Sequence, residues 1–283
     1  MATIAGKLNN NERLPDALSG TPRAHAIDRW IYVFMAVWFI AIVLVGFVPD
    51  AIMKVAMVKA GARPPFPAIL HVHAVLMGSF LLLLLAQTCL MATGRKALHM
   101  QLGVLGMALA AALVVAGFIL APTMYYQVWG GAIFGPPQVR AALAPVLPLI
   151  ENILLLQMAA GIMFAVFITI ALSARERDCG LHKRMVILAI AVPLGAAIDR
   201  MSWLPTTMPA SPIATDLYVL LAIAPMFVWD VIRNRRVHEA YKMWLPAFVV
   251  IVAAVNRLWA KPCWHATAKA IIRVCHVIRC FNP

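Results

Sequence analysis

Four long stretches of the chain contain no Asp, Glu, Lys or Arg: residues 30–49, 64–94, 97–139 and 152–174. At 1.5 Å of rise per residue, about 20 apolar residues cross the roughly 30 Å hydrocarbon core of a bilayer. Each stretch reaches that length. Trimmed to their apolar cores, they predict membrane spans over residues 30–48, 67–91, 101–121 and 146–173. Two later runs are shorter. Residues 185–198 and 217–229 hold 14 and 13 residues between charges, about 20 Å of helix each. Such helices cross only if the charges at their ends enter the membrane. A seventh run, 243–260, is interrupted by Pro246, Asn256 and Arg257. The pattern predicts an all-α fold, a polytopic transmembrane helical bundle of six or seven spans, with seven preferred.

Three regions follow from this reading. Residues 1–29 are polar and lack the apolar centre of a signal peptide, so they are expected to form a cytoplasmic tail. Residues 30–260 form the transmembrane bundle. Residues 261–283 form a basic amphipathic tail: Lys261, His265, Lys269, Arg273, His276 and Arg279 recur every three or four positions. Trp264, Ala268, Ile271, Ile272, Cys275 and Ile278 lie on the opposite face, which fits a helix lying at a membrane surface. Cys263, His265, Cys275, His276 and Cys280 match no zinc spacing.

Composition agrees with the pattern. Only 12% of the residues are charged and 63% are hydrophobic, against about 25% charged in a soluble domain, so a water-soluble globule is excluded. A net charge of +13 would suggest a nucleic-acid partner in a soluble chain. Here the basic residues fall between apolar runs, no nucleic-acid signature accompanies them, and the expected surroundings are a lipid bilayer and other membrane subunits. With the N-terminus inside, the inner segments carry fourteen of the 24 Lys and Arg, the outer loops five, and the C-terminal segment the other five. This bias predicts an inner-membrane protein with a cytoplasmic N-terminus. The five cysteines, Cys89, Cys179, Cys263, Cys275 and Cys280, form no close pair and say little about redox compartment.

Candidate chemistry gathers at two levels. On the inner side, His99, His182 and His238 each follow an aliphatic residue just before an outward-running helix. Three imidazoles from three helices would make a metal site with an open position; the alternative is three partly hydrated interfacial side chains. On the outer side, His71 and His73 begin the second span, Glu151 and Asn152 the fourth, and Asp199, Arg200 and Asp216 flank the fifth and sixth. If the two short helices cross, Asp199, Arg200 and Asp216 are drawn into the outer third of the bilayer, where a charge is costly unless paired or hydrated. This predicts an outward-facing polar pocket of His71, His73, Glu151, Asp199, Arg200 and Asp216, capped by Tyr125, Tyr126, Trp129 and Phe134. The competing reading is an ion-paired cluster that holds helices together.

One stretch carries a resemblance. His71, His73, Gln87, then Gly94, Arg95, Leu98, His99 and Gly103 resemble the pattern of a bacterial family of uncharacterised seven-helix membrane proteins. So do Leu181, His182, Arg184 and Met185, and Asp216, Asp230, His238, Tyr241, Arg257 and Trp264. The resemblance covers roughly residues 65–265. In that family the third helix starts with His and two basic residues, where this chain has His99, Met100 and Gln101. The resemblance implies seven spans and carries no activity.

The sequence contains no Ser-His-Asp arrangement, phosphate loop or HExxH motif, and whether it is an enzyme stays open. Three functions compete. The first is a non-enzymatic accessory subunit of a membrane complex or a binder of a small apolar ligand. The second is a redox protein holding haem, a metal ion or quinone through histidines. The third is a small-solute transporter, for which Pro193, Pro225 and Pro246 would bend the last helices.

Overall fold

The computed structural model describes the backbone of residues 25–280 and the side-chain surroundings of residues 25–272. Among these residues all regular structure is helical: α1 (Ala26–Lys59), α2 (Ala68–Ala92), α3 (Lys96–Phe134), α4 (Pro137–Leu143), α5 (Leu147–Ala174), α6 (Cys179–Ala191), α7 (Gly195–Ile198), α8 (Ile213–Asn234), α9 (Glu239–Leu258) and α10 (Pro262–Cys280). Seven helical segments are long and apolar enough to cross a membrane. The protein is a polytopic bundle of seven such segments with a C-terminal amphipathic helix. We call the end at which α1 begins the inner end, after the orientation expected from the charges.

The two short runs reach spanning length by different means. The fifth segment covers Cys179–Ile198, which is 20 residues. It is α6 and α7 joined by a short 3-10 turn at Val192–Leu194, where Pro193 interrupts the ladder. Its extra length comes from the inner end, where residues 179–184 become helical and carry Arg184 into the protein. The sixth segment, α8, extends at both ends, taking in Asp216 outside and Asp230 inside. Sequence reasoning placed the burden of length on the outer charges. The helices share it with the inner ones.

The fifth segment is also the centre of the molecule. Met185, Leu188, Ala189, Ala191 and Ala197 are fully buried, and this segment is the most enclosed of the seven. Gly46 of α1 lies against it. A methyl group there would come within 2.1 Å of the Ala197 carbonyl oxygen, so only glycine permits this approach. Small residues at such crossings let backbones pack closely, which matters where lipid supplies no hydrophobic drive for helix association. At the periphery, α2 turns Val72, Val75 and Leu82 outward, as a lipid-facing helix does. The turn from α2 to α3 ends on Gly94 at φ 76°, with Arg95 N–H donating to the Leu90 carbonyl and Gly94 N–H to Met91. That is a Schellman ending, in which the left-handed residue is glycine.

At the outer end α10 packs its apolar face against protein. Trp264, Ala268 and Ile272 are buried with Ala121, Tyr125, Leu154 and Trp259. Its Trp264 Nε1 donates to the Glu151 carbonyl oxygen at 2.8 Å. The bend before it is pinned by Ala260 N–H donating to Asn152 Oδ1 at 3.0 Å.

Candidate functional site

The polar side chains within the bundle fall into three groups. The deepest lies at the inner end. Arg184 of α6 donates from Nε to Asp230 Oδ2 at 2.5 Å and from its second nitrogen to Oδ1 at 2.7 Å. Its remaining nitrogen donates to the Gly180 carbonyl. Tyr241 of α9 donates its hydroxyl to Asp230 Oδ2 at 2.9 Å, and Asn234 donates to Oδ1. Both charged side chains are essentially unexposed, at 0% and 1%. Beside them Asp28 of α1 accepts from Arg233 Nε at 3.0 Å and from Trp229 Nε1 at 3.1 Å. Four helices, α1, α6, α8 and α9, are joined by these bonds. Sequence reasoning counted Arg184 and Arg233 among the orientation signals, and Arg184 and Asp230 in the family resemblance, without pairing any of them. The length deficit of the fifth span was the available clue, because residues 179–184 must enter the helix to supply it.

The second group is at the outer end, where α1, α7, α8 and α9 meet. Asp50 accepts from Lys54 Nζ at 2.6 Å and from Arg200 Nε at 3.1 Å. The Arg200 guanidinium stands 4.5 Å above the Phe47 ring, a cation–π arrangement. Thr215 donates its hydroxyl to Asp199. Packing around Asp199 holds its carboxyl above the usual carboxylate range, with the Thr215 hydroxyl and Arg200 pulling the other way. Asn256 of α9 faces the Asp216 carboxylate, whose Oδ2 is buried without a hydrogen-bond partner.

The third group sits between α3, α5 and α10. Glu151, with its side chain 3% exposed, accepts from the Tyr125 hydroxyl at 2.9 Å on Oε1 and meets His265 Nδ1 at 2.5 Å on Oε2. Above this pair a cleft of about 560 Å³ opens between Pro148 and Glu151 on one side and Pro262, His265, Ala266, Lys269 and Ala270 on the other. Its walls are mostly apolar. It is an open groove: of its lining residues only Glu151 is buried and His265 partly so.

The expected outer pocket is therefore divided. Asp199, Arg200 and Asp216 share one neighbourhood. Glu151 belongs to the cleft group, together with His265, which the sequence placed on the polar face of the tail. His71 is exposed and edge-on to Phe66 at 6.1 Å between ring centres. His73 lies between α2 and α3 against Gly117, with Nδ1 buried and without a hydrogen-bond partner. Neither histidine shares a hydrogen bond or ion pair with the acids. Tyr125, expected in a capping loop, is part of α3 and directly bonded to Glu151.

The inner histidines differ in their surroundings. His238 caps α9, its Nδ1 accepting from Ala240 N–H at 3.1 Å. His182 Nδ1 lies 2.8 Å from the Ala171 carbonyl; since a carbonyl only accepts, this nitrogen carries the proton and Nε2 is left for another partner. His99 has a buried Nδ1 with no hydrogen-bond partner and is an electrostatic neighbour of His182. Among the described residues, no three His, Cys, Asp or Glu are placed to hold a metal ion.

Comparison with family models, with curated proteins and with solved structures gives no match to this chain. The reading of the site rests on its own geometry.

Proposed function

We propose that the chain is a multi-pass protein of a bacterial plasma membrane, with its N-terminus cytoplasmic, that binds a small apolar ligand in the cleft between α5 and α10. The observation that carries this reading is the cleft itself, apolar on its walls and closed at one side by the Glu151–His265 pair. The Arg184–Asp230 group at the inner end and the Asp50–Arg200 group at the outer end are each largely satisfied by their own members and bind helices together. The cleft groups leave His265 and Lys269 facing open space. An apolar naphthylamine fluorophore, titrated into the purified protein, is expected to gain emission in the wild type and not in an Ala266→Trp variant, whose indole fills the cleft. Equal emission from the two proteins would overturn the reading.

A second reading keeps the redox role, with His99 and His182 as ligands. Its support is the His182 geometry: a ligating histidine typically donates its other ring N–H to a carbonyl or carboxylate, as His182 does to Ala171. It expects a Soret band or bound transition metal in the purified protein, lost in a His182→Ala variant. A colourless, metal-free preparation would overturn it.

A further inference from the structure

The cleft between α5 and α10 has a definite charge character. Both Glu151 oxygens are taken, one by Tyr125 and one by His265, and the side chain is nearly unexposed. The acid therefore offers an incoming molecule little. Lys269 stands one helical turn beyond His265 on the same face of α10. It is exposed, and no carboxylate among the described residues forms an ion pair with it. Pro148, Pro262, Ala266 and Ala270 supply apolar wall on both sides. An ammonium head would meet Lys269 as a like charge. A neutral head would leave that charge without a counterpart. An anion on an apolar chain answers both features.

We propose that the cleft takes a single-chain amphiphile with a carboxylate head, a free fatty acid in chemical class. Lys269 and the exposed side of His265 receive the head, and the proline and alanine walls hold the chain. This rests on the reading of the cleft as a ligand site. The position suits such a ligand. Trp259, Trp264, Tyr126 and Trp129 pack together beside the cleft at the outer end of the apolar segments. A chain enters there from the lipid side while its head stays near water.

The test uses the full-length protein in zwitterionic nanodiscs with a twelve-carbon diazirine carboxylate as photoprobe. A matched diazirine alcohol is run alongside. Crosslinks are mapped by mass spectrometry. The carboxylate probe is expected to label residues 262–270, with dodecanoate displacing it at least ten times more effectively than dodecanol or dodecyltrimethylammonium. Lys269→Glu is expected to cut labelling about tenfold with an unchanged melting temperature, since the residue is exposed. Ala266→Trp, which leaves the charges alone, is expected to abolish it. Equal displacement by all three competitors overturns the carboxylate assignment and leaves the cleft reading standing. Displacement by a short-chain phosphatidylglycerol as strong as by dodecanoate overturns the assignment to a free carboxylate. Labelling that survives both variants overturns the placement of the site. If neither the carboxylate nor the alcohol probe labels 262–270, the cleft reading falls and the proposal with it.

Discussion

Arg184 and Asp230 satisfy each other so fully that either one alone would be a liability. Removing one partner of a buried ion pair leaves an uncompensated charge and typically costs about 3–5 kcal/mol, whereas replacing both with apolar residues is often neutral. Asp230→Leu also strands the Tyr241 hydroxyl, adding about 1–3 kcal/mol. We therefore expect Asp230→Leu to unfold the protein at markedly lower temperature in detergent. The Arg184→Met, Asp230→Leu double variant is expected to recover most of that loss. A double variant no more stable than the single would show that the pair is not the determinant. Asp199 gives stability a dependence on pH. Its folded-state carboxyl is held above the ordinary value of about 3.9, so the folded state favours the neutral form. Its stabilising contribution is present below the unfolded value and fades as pH rises through the folded one. Asp199→Asn retains an acceptor for Thr215 and is expected to flatten the pH dependence of stability over that interval, read by thermal melts across pH. Because Asp199 is exposed, the change is small.

At the level of helices, close packing of α1 on α7 depends on a missing side chain. Gly46→Leu forces the two backbones apart at Ala197 and is expected to lower stability more than Gly78→Leu, where nothing lies within 4 Å; thermal unfolding of the two variants compares them. The docking of α10 depends on Trp264, whose ring is buried and whose Nε1 is bonded. Trp264→Ala is expected to free the helix, seen as faster tryptic cleavage after Lys269. The first four spans were plain in the sequence because each is a long uncharged run. The fifth and sixth were harder, because their uncharged runs are short and their ends are marked by charges, such as Arg184 and Asp230, that the fold buries. Pairs such as Arg184 with Asp230, or Glu151 with His265, join residues 46 and 114 positions apart. No local pattern announces them.

For the molecule as a whole, an odd number of crossings puts α10 on the side opposite the start of α1. Two native thiols report this: Cys179 and Cys263 are both free and exposed, at the inner and outer ends respectively. In variants retaining one of them, with Ser at the other four cysteine positions, a membrane-impermeant maleimide is expected to label Cys263 in intact cells. Cys179 should label only after permeabilisation. Reversed labelling would invert the orientation inferred from the basic residues; labelling of both from one side would mean that α6 to α9 do not make three crossings. The general class was legible from composition alone. The grouping of polar residues was legible only in part, since Asp199, Arg200 and Asp216 do meet while Glu151 and the second-span histidines go elsewhere.

The bond between His265 and Glu151 also bears on the order in which the protein is made. Glu151 enters the membrane region when the ribosome has completed little more than half of the chain, and Tyr125 is then its available partner. Asn152 waits likewise for Ala260. The outer end stays unfinished through insertion of three further helices, and it closes only when the last helix emerges and docks. A nascent chain halted before residue 260 would carry Glu151 with one of its two side-chain partners missing.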